Sequence, residues 1–240
     1  MRILAIDSSS LVASVAVLED EEMLAEYTIH YKKTHSQTLV PMLDEIKQMT
    51  ELDLSTIDAI AVAAGPGSFT GLRIGSATAK GLGLALNKPV ISVPTMDAMA
   101  YNMCMTDQLV CPIMDARRGQ TYAGIYEYTE CKMQIRLAQC MIMIDDLAEK
   151  VNEMESPIIF LGDGRTVFRE RLTELISVPY SFAPAHMARQ RAGALGALAI
   201  QYYRNEHGAV GGHIQTAAEH KPDYLRLSQA ERELTEKQNG

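Results

Sequence analysis

The sequence predicts an α/β protein made of two lobes of related topology. Three observations carry this expectation. Short apolar runs separated by polar turns open the chain as an antiparallel meander, strand and helix periodicities then alternate up to residue 103, and the same order starts again near residue 109. At 240 residues the chain is also longer than one domain of about 150 residues. The pattern divides it into a first lobe at 1–104, a second lobe at 105–189, a helix at 190–210 that packs back on the first lobe, and a polar tail at 211–240.

Each element has its own warrant. Residues 3–6 are apolar and run into the polar turn Asp7-Ser8-Ser9-Ser10, residues 11–18 form the second strand, and 23–31 alternate loosely as the third. The period then changes. Leu39, Met42, Leu43, Ile46 and Met49 recur at helical spacing within 35–49, and Pro41, which has no amide proton, implies either a helix start near Val40 or a kink. Residues 57–64 read as a buried parallel strand ending at Gly65-Pro66-Gly67, 68–86 as a helix, and 89–93 as a strand. Pro94 opens a third helix through Met103. In the second lobe 110–114 and 121–128 are strands around a turn at Asp115, and 158–161 is a strand running into Gly162-Asp163-Gly164. Residues 166–176 and 190–204 have helical patterns.

Composition narrows the function. Apolar residues make up 47% and charged residues 22%, enough to bury a core and too apolar for a disordered chain. The net charge of −8 is spread over both halves, with 14 acids and 9 bases in residues 1–120 and 16 and 13 in the rest. Such a chain offers no basic patch for gripping nucleic acid by itself. No apolar stretch reaches 18 residues, the N-terminus has no signal-peptide pattern, and the four cysteines form no CxxC pair. Those features point to a reduced cytoplasm.

Two segments have chemistry. Asp7 ends the first strand and is followed by Ser8 and Ser9, small hydroxyl residues in a hairpin turn. Actin-like ATPases and sugar kinases hold a metal–water complex and phosphate at such a turn, but Ser9 stands where theirs carries a glycine. The alternative is a polar hairpin whose Asp7 accepts bonds from its own turn. The second segment is the string GPGSFTGLRIG at 65–75, in which Ser68 is placed to cap a helix. It is neither a Walker A loop nor a dinucleotide fingerprint. Gly71, Gly75, Ala79 and Gly83 follow at four-residue spacing, and each interior glycine costs about 1 kcal/mol against alanine. Close approach of another backbone is the simplest reason. Because polar side chains in this helix are confined mainly to Arg73, Ser76 and Lys80, it is buried on more than one side, either by its own lobe or at an interface formed with the helix at 35–49. Asp115 and Asp163 each end a strand, as ligand-binding residues and turn residues both do. None of the six histidines forms HxxxH or HExxH.

Taken together, ILAIDSSS, HSQTLVPML, GPGSFTGLRIG, MDARRG, LGDG and PDYLR resemble the bacterial TsaB (YeaZ) family over residues 3–226. The resemblance implies the two-lobed actin-like ATPase (ribonuclease H-like) fold. It further implies a non-catalytic subunit, a degenerate paralogue of TsaD, which transfers a threonylcarbamoyl group to the adenosine beside the anticodon in tRNAs reading codons that begin with A. A TsaD-like partner would dock on the first two helices, through Leu39, Met42, Leu43 and Ile46 with Gly71, Leu72, Gly75 and Ala79. A TsaE-like ATPase would join the pair, tRNA would be contacted only through the partner, and a homodimer would form in the partner's absence. Asp7, Ser8, Ser9, Asp115, Gly162 and Gly164 would be a vestigial nucleotide site, with ATP, magnesium and metal belonging to the partners. Tyr224, Leu225 and Arg226 would make a second contact through the tail, where Ser228 to Glu231 form a capping-box pattern. On this reading Ile46→Asp or Gly75→Arg abolishes the complex and leaves the lobe folded. The alternative is an active ATPase or phosphotransferase with Asp7 and either Asp115 or Asp163 around magnesium.

Overall fold

The computed structural model describes residues 1–31 and 34–225. Strands β1 (Arg2–Asp7), β2 (Val12–Glu19) and β3 (Glu22–His30) form the antiparallel meander. Helix α1 (His35–Met49) crosses to β4 (Ala59–Gly65), parallel to β1, and α2 (Phe69–Leu86) crosses to β5 (Val90–Pro94), parallel to β4. Helix α3 (Thr95–Ala100) leads out of the lobe. The second lobe repeats the plan with the meander β6 (Leu109–Arg117), β7 (Gln120–Thr129) and β8 (Lys132–Met143). Helix α4 (Ile144–Glu153) then leads to β9 (Ile158–Leu161), and α5 (Gly164–Val167) and α6 (Arg169–Leu175) lead to β10 (Tyr180–Phe182). Helix α7 (Ala192–Asn205) and β11 (Ile214–Gln215) return to the first lobe.

The sheets run β11-β5-β4-β1-β2-β3 and β10-β9-β6-β7-β8. Apart from the added β11, both are a meander followed by two parallel strands in the same order. This duplicated plan is the actin-like, ribonuclease H-like fold.

Burial explains why β1 is apolar from Ile3 to Ile6. Leu4 and Ile6 point to one face of the sheet and pack with Leu39, Met42 and Ile46 of α1, while Ile3 and Ala5 point to the other and pack with Leu195, Leu198 and Ala199 of α7. Small residues let α7 approach closely. A Cβ on Gly196 would stand 2.3 Å from Leu18 Cδ1 and 3.1 Å from Ala5 Cβ.

Several expectations need correction. Helix α1 begins at His35 and passes through Pro41, so the helix does not start near Val40. One missing amide in the second turn is outweighed by the burial of the three core side chains behind it. The helical pattern at 166–176 is two helices meeting at Phe168. Strand β8 and helix α4 occupy a stretch to which hydropathy alone assigns no element. β8 is an edge strand with polar residues on both faces, and its register with β7 shifts twice.

The segment after 211 is not a free polar tail through its described part. Ile214 and Gln215 pair antiparallel with Ile91 and Val90, and Ile214 and His220 are buried. Beyond them the chain runs along α2: Lys80 Nζ donates to the carbonyls of Ala218 (2.9 Å) and His220 (3.0 Å), and Asp223 N donates to Ala64 O (2.6 Å). The Tyr224 ring lies 5.0 Å from that of Phe69, and Leu225 packs against the core cluster that includes Met96, Tyr126 and Leu161. Tyr224 and Leu225 therefore touch their own chain. Arg226 and the capping-box pattern at Ser228 to Glu231 lie outside the described residues.

Candidate functional site

Two surfaces of the first lobe bear on function. One is the outer face of the α1–α2 pair. Ser68 Oγ accepts from Gly71 N (3.3 Å) to cap α2, and Asn87 ends it in the left-handed conformation (φ 54°). Of the eight residues expected at the partner surface, seven are buried within the chain itself: Leu39, Met42 and Ile46 on α1, and Gly71, Leu72, Gly75 and Ala79 on α2. Only Leu43 is half-exposed. The glycine stripe does admit a close approach, and the approaching segment is the chain's own. A Cβ on Gly71 would fall 2.1 Å from the backbone oxygen of Ser8, and one on Gly75 would fall 2.4 Å from the Ser8 side-chain Oγ. Ile46→Asp and Gly75→Arg would therefore disrupt the lobe itself and cannot test an interface.

The accessible apolar surface is displaced by about one residue around each helix. A groove of about 420 Å³ runs between α1 and α2, walled by Val40, Leu43, Leu52, Leu54, Ala77 and Leu82, with Asp44 and Lys47 at its rim. Val40 is 60% exposed, Leu84 62% and Met49 76%. Gly81 also lines the groove, and a Cβ there would meet nothing within 4 Å. Apart from Leu43, the groove residues are absent from the expected set. The strongest apolar stripe of a helix lying on a sheet is the stripe that faces the sheet, and a partner meets what is left beside it.

The second surface is the cleft between the lobes, about 550 Å³, which gathers Ser9, His35, Asp115, Arg117 and Asp163. Its floor is closed by internal bonds. Ser9 N and Oγ both donate to Asp7 Oδ1 (2.9 and 2.7 Å), Ser8 Oγ donates to Gly71 O (2.9 Å), and Ser68 N donates to Ser9 O (2.7 Å). Asp7 is 1% exposed, and burial pushes its carboxyl above the usual range against the opposing effect of the two Ser9 bonds. His35 Nε2 lies 2.7 Å from Ser10 O. The amides of Ser9, Ser68 and Gly71 are thus already used, and Ser9 fills the turn. A phosphate with its magnesium does not fit these residues.

On the other wall, Asp115 accepts from Arg117 N (2.8 Å) and pairs with the Arg117 guanidinium (3.2 Å), as a turn residue does. Asp163 Oδ1 is buried without a hydrogen-bond partner, and burial raises its pKa although Arg189 opposes the shift. Gly162, at φ 97°, passes so close to β6 that a Cβ would be 2.1 Å from Ile113 O, and Gly164 presses on the same residue. Their lack of side chains serves packing. Among the described residues, no three His, Cys, Asp or Glu side chains cluster closely enough to hold a metal ion. No helix among them is long and apolar enough to cross a membrane.

Comparison with known proteins agrees with this architecture. A family model described as TsaD, tRNA N6-adenosine threonylcarbamoyltransferase, matches residues 22–234. The tRNA threonylcarbamoyladenosine biosynthesis protein TsaB of Bacillus subtilis is 32% identical, over 99% of this chain and 100% of that protein. The TsaB protein of Escherichia coli is 37% identical over 54% of this chain and 57% of its own length. The solved structure of YeaZ from Pseudomonas aeruginosa superposes with a TM-score of 0.78 at 25% identity, covering 93% of this chain and 99% of that one. With a relative similar from end to end and the same two-lobed fold, the chain belongs to the TsaB (YeaZ) family.

Proposed function

We propose that this chain is a non-catalytic subunit of a complex that forms threonylcarbamoyladenosine in tRNA, and that it docks on a TsaD-like catalytic partner through the outer face of α1 and α2. The relatives' names, which place them in tRNA threonylcarbamoyladenosine biosynthesis, supply the pathway. The observation that carries the docking role is the open apolar groove between the two helices, lined by exposed Val40. Apolar surface of this kind beside a well-buried core marks an interaction site. A single charge placed there removes association at little cost to the fold.

The closed turn at Asp7 supports the non-catalytic half of the proposal, because the Ser9 and Ser68 amides, donors that a transferred phosphate would need, already donate to Asp7 Oδ1 and Ser9 O. The acidic balance of −8 fits a subunit that meets tRNA only through its partner. In this reading a TsaE-like ATPase joins the assembled pair in the cytoplasm. A second copy of this chain covers the groove when the partner is missing.

Co-purification with the TsaD-like protein of the same organism tests the proposal. Val40→Asp and Gly81→Arg are expected to abolish the complex while leaving the far-ultraviolet spectrum and melting temperature close to those of the parent. Retention of the partner by both folded variants would show that it docks elsewhere.

A further inference from the structure

The crossover between the lobes contains a pair of thiols that the function above does not use. Cys104 follows the 3₁₀ turn at Tyr101–Met103, after α3 and before β6. Cys131 sits in the two-residue turn of the β7–β8 hairpin, where Glu130 (φ 51°) and Cys131 (φ 57°) are both left-handed and Thr129 pairs with Lys132. Two-residue hairpin loops adopt this geometry and usually fill it with Asn-Gly. Here the turn carries a thiol instead, and it brings Cys131 Sγ to 2.9 Å from Cys104 Sγ and 3.2 Å from Met105 Sδ. Both cysteines are free and partly exposed, and Met105 stands in solvent beside them. Cys111, by contrast, is sealed in the second lobe's core.

We propose that Cys104 and Cys131 are a covalent modification site, a dithiol that a low-molecular-weight disulfide converts to an intrachain disulfide tying the lobe crossover to the β7–β8 hairpin. The gap to close is about 0.9 Å, from the present separation to an S–S bond of about 2.05 Å. Cys131, at the hairpin tip, attacks one sulfur of the reagent. The S–S bond of the reagent breaks, and its first thiolate leaves with the proton that Cys131 has lost. Cys104 then attacks the Cys131 sulfur of the mixed disulfide and expels the second thiolate, which takes the Cys104 proton. Two protein thiols are oxidised, and one reagent disulfide is reduced to two thiols. Burial, with the adjoining Cys131 sulfur, pushes the Cys104 thiol up to about 12. It is therefore the resolving residue, reacting only once the mixed disulfide stands against it.

The test is incubation of the folded, full-length chain with oxidised glutathione, followed by alkylation under denaturing, non-reducing conditions and peptide mass spectrometry. The expected result is loss of two of the four thiols, peptides joined through Cys104 and Cys131, and no glutathione retained. Cys104→Ser should arrest the reaction at a glutathione adduct on Cys131. The proposal is overturned if all four thiols of the parent chain still alkylate, if the adduct persists on parent Cys131, or if the new bond joins other cysteines.

Discussion

The Tyr126 hydroxyl, on β7 of the second lobe, donates a 2.6 Å hydrogen bond to Asp97 Oδ1, on α3 of the first. Tyr202 of α7 donates to the other carboxylate oxygen at 3.1 Å, so one acidic side chain ties together three elements from both lobes. Asp97 is buried, and desolvation raises its pKa against the two tyrosine bonds, which favour the charged form.

Tyr126→Phe leaves this buried carboxylate one donor short and should destabilise the chain by about 1–3 kcal/mol. A double-mutant cycle with Asp97→Asn, read by urea unfolding, should give a coupling above about 0.5 kcal/mol. Additive losses would mean that the contact does not act as a unit.

Glycines on α2 should respond with opposite signs. Gly71→Ala drives a Cβ to 2.1 Å from Ser8 O, and relief requires the β1–β2 turn or α2 to move, at a cost of about 1–3 kcal/mol. Gly81→Ala meets nothing within 4 Å and should stabilise the helix by about 1 kcal/mol through its propensity. Urea midpoints that shift in the same direction for both would contradict the packing described for Gly71.

The fold of the C-terminal segment should depend on pH. His220 is buried, with Nδ1 2.8 Å from the Ser92 hydroxyl and 3.1 Å from Gln215 Oε1. Burial, and to a smaller degree the Lys80 charge, lowers its pKa from 6.5 to about 4. The unfolded chain then binds the extra proton between those values. This contribution is fully present above pH 6.5 and is lost as the pH falls towards 4, by up to about 3 kcal/mol. His220→Gln should flatten the slope of unfolding free energy between pH 7.5 and 5. A variant with the parent slope would place the acid sensitivity in other groups.

Much of this was legible in the residues themselves. The meander, the parallel crossovers and the α2 cap at Ser68 follow from period, turn residues and capping chemistry, which act over a few positions. Two of the corrected features depend on contacts between distant segments. Whether Leu39 or Val40 faces outward is decided by where the sheet lies relative to α1. The order of the segment after residue 211 comes from a strand pairing with β5 and from Lys80 on α2, more than a hundred residues earlier. Neither contact leaves a trace in local periodicity.

By itself, the sequence determined the two-lobed α/β plan, the likeness to the TsaB family, and the departure at Ser9 that sets this turn apart from a phosphate cradle. Tertiary structure decided which atoms Gly71 and Gly75 make room for, which side of α1 and α2 stays open, and that Cys104 meets Cys131. The physical reason is the range of the forces. Backbone propensity and hydrophobic period are local and can be counted along a chain, whereas burial and sulfur–sulfur proximity exist only after the lobes have packed.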